Sequence, residues 1–254
     1  MTRTRTIAMT LIAVAAIAVG GYIAYDQVLR GDDVASLALP SSAPSADTGA
    51  TVPTLAPAAS AIAGSSTAAS TDGSVVGEWT VAAGSVAGYR VREQLANLPA
   101  ESDAVGRTED VSGSIAVVND GSAASLTAGT LTVDTTTIQS DESRRDNRLR
   151  SEGLQTDQYP TATFKVTQPV AVPAAALTGT ASDITLFGDL TLHGVTKSVQ
   201  IPAQAQLADG KIQVAGTLTF PLSDFGITPP NVGGFILSIS DQGTLEVLVS
   251  FEEA

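Results

Sequence analysis

The chain contains no cysteine, one histidine and few aromatic residues, which make up 4 % of its 254 residues. The missing cysteines exclude disulfides, thiolate metal sites, a cysteine nucleophile and lipid attachment through an N-terminal cysteine. With His193 alone, no multi-histidine metal site can form within one chain, and no metal is expected. Positive charge is also scarce: 13 Lys+Arg face 26 Asp+Glu, a net charge of −13. Such an acidic chain repels phosphate backbones, so nucleic acid is not an expected partner. A nucleophile elbow, a phosphate-binding glycine loop and a calcium loop are all missing from the sequence.

What is present falls into three regions. In residues 1–25, Arg3 and Arg5 precede an uncharged apolar run from Ile7 to Tyr25, and Asp26, Arg30, Asp32 and Asp33 follow it. At 1.5 Å per residue the run spans about 28 Å, close to the hydrocarbon thickness of a bilayer. The flanking charges predict a single-pass signal-anchor with the C-terminal part on the extracytoplasmic side. The competing reading is a cleaved signal peptide, with Ala16-Ile17-Ala18 as its cleavage site. Either way the remainder is exported. Residues 26–74 are dominated by Ala, Ser, Thr, Pro and Gly. Almost without large side chains, they cannot offset chain entropy by burial, and they read as a disordered linker. Residues 75–254 read as one folded domain holding 10 Lys+Arg and 21 Asp+Glu, so the acidity belongs mainly to the domain.

Period-two alternation marks this domain as all-β. Val199, Ile201, Ala203, Ala205 and Leu207 share one face, and Ser198, Gln200, Gln204 and Gln206 the other. Ile212, Val214, Gly216, Leu218 and Phe220 repeat the pattern, and Asp209-Gly210 between the two runs is a hairpin signal. A last strand places Leu245, Val247, Val249 and Phe251 inward. Earlier strands are expected over 86–93, 111–118, 126–134, 163–168 and 184–193, with Asn119-Asp120-Gly121 as a turn. One short helix is expected over 140–153, where Asp141/Arg145 and Asp146/Arg150 stand at i,i+4. Leu149 and Leu154 provide its apolar foothold, and Gly153 its stop. About eight antiparallel strands remove their edges by closing into a barrel. Small inward residues (Ala203, Ala205, Gly216) leave room for a thin apolar guest; alternatively Phe164, Phe220, Phe225 and Phe235 plug the space.

Four stretches in register carry a resemblance. They are Leu131 to Ile138 (LTVDTTTI), Arg145 to Arg150 (RDNRLR), Tyr159 to Phe164 (YPTATF) and Gly188 to Lys197 (GDLTLHGVTK). Together they resemble the YceI-like family, over about Gly77–Phe251. The resemblance implies a lipocalin-like closed antiparallel barrel with a capping helix, and a polyisoprenoid or related lipid as ligand in an elongated apolar cavity. The stretch Ala96–Arg107 looks like an insertion loop at one barrel mouth.

Candidate lipid contacts are Tyr89, Val91, Phe164, Leu190, Leu192, Ile201, Val214, Leu218, Phe220 and Val247, on the predicted inward faces. For every one of them, ordinary core packing is the competing reading. Arg144 and Arg148 share a helix face and suit an anionic head group, although the interleaved Asp141, Glu142 and Asp146 also fit a solvated helix surface. The same resemblance implies a turn role for His193, before Gly194, and for Asp224 in Asp224-Phe225-Gly226. The expected function is therefore a lipid-binding module, not an enzyme, with no cofactor beyond the bound lipid and a membrane partner through the N-terminal helix. The alternative is a structural or surface-interaction domain on a stalk. The sequence sets no oligomeric state.

Overall fold

The computed structural model describes residues 34–40, 75–96, 101–119, 123–229 and 236–254. The expected anchor over 1–25 lies outside them, as do most of the linker, Asp120-Gly121 of one expected turn, and Phe235.

Twelve strands form one antiparallel sheet. They are β1 (Gly77–Val81), β2 (Val86–Leu95), β3 (Ser102–Thr108), β4 (Val111–Asn119), β5 (Ala124–Asp134), β6 (Gln139–Ser140), β7 (Thr161–Val166), β8 (Val170–Ala171), β9 (Ser182–Leu192), β10 (Val195–Ala208), β11 (Lys211–Pro221) and β12 (Ile236–Glu253). Around the ring β1 pairs with β4, β4 with β5, β5 with β7, β7 with β9, and then β10, β11 and β12 follow in order. Pairing of β12 with β1 (Trp79 opposite Glu253) closes an eight-stranded barrel.

The other strands belong to the same wall. β2 continues β1 past a bend at Ala82–Ser85 and pairs along β12, while β3 precedes β4 and pairs with β2. β6 follows β5 and pairs with β3. β8 follows β7 and, like it, pairs with β5, so four of the eight wall strands are written in two pieces. The bends carry their own hydrogen bonds: Ser85 Oγ donates to the Ala82 carbonyl at 2.8 Å. The amide of Asp110 donates to Thr108 Oγ1 at 3.0 Å, and the amide of Thr136 to Asp134 Oδ1 at 2.9 Å.

The alternation read from the sequence matches the observed register. Ala203 stands opposite Gly216, Ala205 opposite Val214 and Leu207 opposite Ile212. Asp209 and Gly210 both have positive φ (52° and 71°), as a two-residue hairpin turn of this hand requires. The same device recurs where β9 passes into β10: His193 and Gly194, at φ 51° and 72°, link the paired Leu192 and Val195.

Four expectations need correction. Ala96–Arg107 is not wholly a loop, because Ser102–Thr108 is strand β3, with Val105 opposite Arg90. Its sequence, SDAVGRT, mixes small and charged residues and hides the alternation. Strand β1 was missed for its shortness, as was α2 (Ala174–Leu177). The helix α1 covers only Ser143–Arg148 and widens into a π turn over Leu149–Gly153, closed by the Leu154 amide on the Leu149 carbonyl at 2.7 Å. Finally, Gln206 is buried despite its outward register and donates from Nε2 to Gln213 Oε1 at 2.8 Å.

One part of the linker is held. Val34–Pro40 runs without helix or strand against the outside of the barrel, and Leu39 is buried there. Arg90 Nη2 donates to the Val34 carbonyl at 2.7 Å, and Arg107 Nη2 donates to the Ala35 carbonyl. Beneath this strap Glu246, 2 % exposed, accepts from Arg90 Nε at 2.9 Å and faces Arg107 Nη2 at 3.4 Å. Gly88 lies opposite both Glu246 and Arg107, and a Cβ there would meet Arg107 Cγ at 2.8 Å. The reading of 26–74 as disordered therefore does not extend to Val34–Pro40. Composition counts side chains, whereas this contact is made largely by main-chain carbonyls.

Candidate functional site

The inward faces of the wall do not meet across the barrel axis. Two apolar groups pack at different levels of it. At one end Val75, Trp79, Ile115, Val117, Val170, Val249 and Phe251 pack together. At the other, Leu190, Leu192, Phe220, Leu222, Phe225 and Ile227 do so, with Phe220 and Phe225 edge to face at 5.0 Å between ring centres. Between and around them lies a cavity of about 940 Å³ with an overwhelmingly aliphatic wall.

Every predicted contact residue sits on this wall. Tyr89 and Val91 come from β2, Phe164 from β7, and Leu190 and Leu192 from β9. Ile201 comes from β10, Val214, Leu218 and Phe220 from β11, and Val247 from β12. The small residues have the consequence expected of them. Ala205 and Gly216 line the space, while Ala203 packs directly beside Gly216, 3.4 Å from where a Cβ would stand. Phe164 does not plug the axis: its ring lies over Gly188, where a Cβ would meet Cζ at 2.5 Å. A glycine on β9 thus lets an aromatic lie flat against the wall.

The helix end of the cavity is different. Arg144 and Arg148 line it with exposed side chains, so the cavity reaches solvent there. Neither forms an ion pair among the described residues. The basic residue turned inward is Arg145, and its partner is Glu93, which shares the inward face of β2 with Tyr89 and Val91 and is 4 % exposed. Arg145 Nη2 donates to Glu93 Oε1 at 2.7 Å, and Nη1 pairs with Asp141. The expected i,i+4 pair Asp141/Arg145 is therefore present. Asp146/Arg150 is not: buried Asp146 accepts from the Ser140 amide at 3.0 Å and hydroxyl at 2.6 Å, while Arg150 donates to the carbonyls of Thr136 and Ile138, each at 3.2 Å.

Among the described residues, two buried donors have no acceptor, Tyr89 Oη and Arg145 Nε. Burial pushes the Tyr89 hydroxyl up to about 12, partly opposed by the nearby Arg145 charge, so it remains a neutral O–H donor. Sequence reading missed Glu93 and Arg145 as site residues. The parity of Glu93 with Tyr89 and Val91 was the available signal. For Arg145 none existed, because three other arginines stand within five residues of it.

The remaining candidates are structural. His193 Nδ1 lies 3.1 Å from the Phe225 carbonyl and Nε2 3.2 Å from Gln155 Oε1, and the ring meets Tyr159 edge to face at 4.6 Å. Asp224 sits in the 3₁₀ turn Leu222–Phe225 and accepts from Lys197 Nζ at 2.7 Å, while Asp189 accepts from Ser198 Oγ at 2.6 Å. The two carboxylates are engaged separately. No cluster of three His, Cys, Asp or Glu side chains suited to a metal occurs among the described residues.

The family model described as YceI-like domain matches residues 67–251. Among solved structures, the chain is similar to a polyisoprenoid binding domain from Saccharophagus degradans implicated in plant cell wall breakdown. The identity is 18 % and the TM-score 0.48, with 69 % of this chain and 98 % of that one covered. It is similar to BcnA of Burkholderia cenocepacia at 18 % identity and TM-score 0.48, covering 65 % and 95 %. It is also similar to the YCEI protein of Campylobacter jejuni at 19 % identity and TM-score 0.44, covering 59 % and 85 %. No match emerges among curated proteins.

Proposed function

This chain belongs to the YceI-like domain family, and we propose that it is a membrane-tethered, extracytoplasmic binding protein that holds a long apolar lipid of the polyisoprenoid or isoprenoid-quinone type. The observation that carries this reading is the cavity of about 940 Å³, walled by apolar residues of every long strand and reaching solvent beside the helix that carries Arg144 and Arg148. An empty apolar space of this size forfeits contact energy along its whole lining, and a long apolar chain restores it. The volume lies in the range of pockets that enclose a substantial ligand. Storage, shielding or transport of the lipid follows from enclosure alone. Chemistry on it is disfavoured, because the wall is aliphatic and the lone histidine is engaged in a turn.

The apolar run Ile7–Tyr25 supports the tether, with Arg3 and Arg5 on the inner side. A tether keeps the barrel beside the bilayer in which such lipids dissolve. The test is organic extraction of the protein purified from a membrane-containing host, followed by mass spectrometry. A prenyl lipid in near-stoichiometric amount is expected. Its absence, together with no uptake of added polyprenol, would overturn the proposal.

A further inference from the structure

The strap Val34–Pro40 meets the barrel at the end where the cavity opens. Val34, Ala35 and Ser36 share an outer hollow with Arg92, Glu101 and Asp103. Arg92 stands opposite Asp103, one step from the Glu93–Ser102 pair, and Glu93 is the residue that meets Arg145 of α1. The strap therefore begins at the end of β2 and β3 over which α1 lies. At that end the cavity reaches solvent beside Arg144 and Arg148.

The seat under the strap is pre-organised. Arg90 Nη2 donates to the Val34 carbonyl at 2.7 Å, and Arg107 Nη2 donates to the Ala35 carbonyl. Both guanidinium groups are fixed from below by Glu246, which is 2 % exposed, and Arg90 is fixed also by Asp103 at 2.9 Å. Charge-assisted hydrogen bonds from side chains already held in place need little further ordering. Leu39, buried farther along, adds an apolar anchor.

Chain length turns this contact into a constraint. Eight residues, 26–33, separate the apolar run ending at Tyr25 from Val34. Fully extended, they reach at most about 28 Å. With the strap undocked, the connection to Val75 would run through the 49 residues of 26–74 and reach at most about 170 Å. A connection that long allows any face of the barrel to turn toward the bilayer. The short one ties the barrel down by its mouth.

Resting on the membrane-tethered reading above, we infer that the strap docks the barrel mouth-down, with the α1 end of the cavity held against the lipid surface. A guest then passes between bilayer and cavity with little exposure to water. The outer face of β2 and β3 is the docking surface, and Val34–Pro40 is its occupant.

The chain has no cysteine, so a single introduced thiol can be labelled alone. Glu152→Cys places a donor dye at the mouth, on an exposed position of the π turn after α1. Ala174→Cys places it at the other end, on an exposed position of α2, whose Leu177 packs against the same apolar group as Leu207 and Ile212. Each full-length protein is reconstituted into phosphatidylcholine vesicles in which a small fraction of the head groups carries an acceptor dye. Energy transfer is expected to be several-fold stronger from position 152 than from position 174. Replacing Val34–Pro40 by a Gly/Ser heptamer keeps the chain length and leaves every barrel residue in place. Transfer from position 152 should then fall to the level of position 174. Equal transfer from the two positions in the parent, stronger transfer from 174, or no change on replacing the strap would each overturn the inference while leaving the tether intact. Failure of the protein to float with the vesicles would overturn the tethered reading and the inference together.

Discussion

Gly216 lies at the middle of the wall, and replacing it with leucine separates a cavity from a filled core. A Cβ at this position would stand 3.3 Å from Ile201 Cγ2, 3.4 Å from Ala203 Cβ and 3.5 Å from Val247 Cγ2, close but with little overlap. The rest of the side chain would then project into the cavity that Gly216 lines. Leucine adds four carbons, and a guest must give up about that many buried methylene equivalents. At about 0.8 kcal/mol per buried CH₂ this weakens binding by about 3 kcal/mol, somewhat over a hundredfold. A guest that slides along the cavity would lose about tenfold. The empty protein should respond in the opposite sense, because the new side chain fills space that was void and removes the flexibility of a strand glycine. An unchanged or raised stability, by about 1 kcal/mol, is expected. The binding arm is read by titrating delipidated protein with a polyprenol and following the fluorescence of Trp79, the only tryptophan. The stability arm is read by thermal unfolding, where about 1 kcal/mol shifts the midpoint by about 2–4 °C in a domain of this size. Unchanged affinity in a folded variant would refute the placement of the guest. Loss of about 1–3 kcal/mol in the lipid-free protein, the signature of overpacking, would show that the space is not there.

Three other outcomes follow from the same contacts. Glu246→Ala removes the buried carboxylate shared by Arg90 and Arg107 and should cost about 2–4 kcal/mol in urea unfolding, a loss below about 0.5 kcal/mol being incompatible with the burial described. Tyr89 holds its proton to about pH 12 in the folded state against 10.0 ordinarily, so its contribution to stability is complete below pH 10 and is lost as pH rises toward 12. Tyr89→Phe should flatten that alkaline decline, and a phenolate titration in which every tyrosine of the folded wild type ionises near pH 10 would contradict it. His193→Ala should cost about 1–2 kcal/mol, from lost hydrogen bonds and a left-handed φ of 51°, without changing lipid loading. A loss of loading in the folded variant would show a role beyond the turn.

Most of the barrel was legible because period-two alternation reports which face of a strand is buried, wherever that face is apolar. The strands β10, β11 and β12 carry it, and their inward residues other than Val199 and Ala203 are on the cavity wall. The pattern fails at β3, where charged and small residues follow one another, and at the outer face around Glu246. There a residue that alternation marks as solvent-facing is buried beneath two arginines and the strap Val34–Pro40.

Alone, the sequence determined the β class, the hairpin at Asp209-Gly210, and the apolar face from which a lining is built. These are local properties, set by side-chain alternation and by residues that tolerate positive φ. Whether that face encloses a space or a packed core was decided only by closure of β12 on β1, because a void depends on the distance across the barrel and not on any one strand. The ion pair at the helix end of the cavity is likewise tertiary. Glu93 from β2 and Arg145 from α1, 52 residues apart in the chain, meet only once the bent wall brings the helix over the cavity.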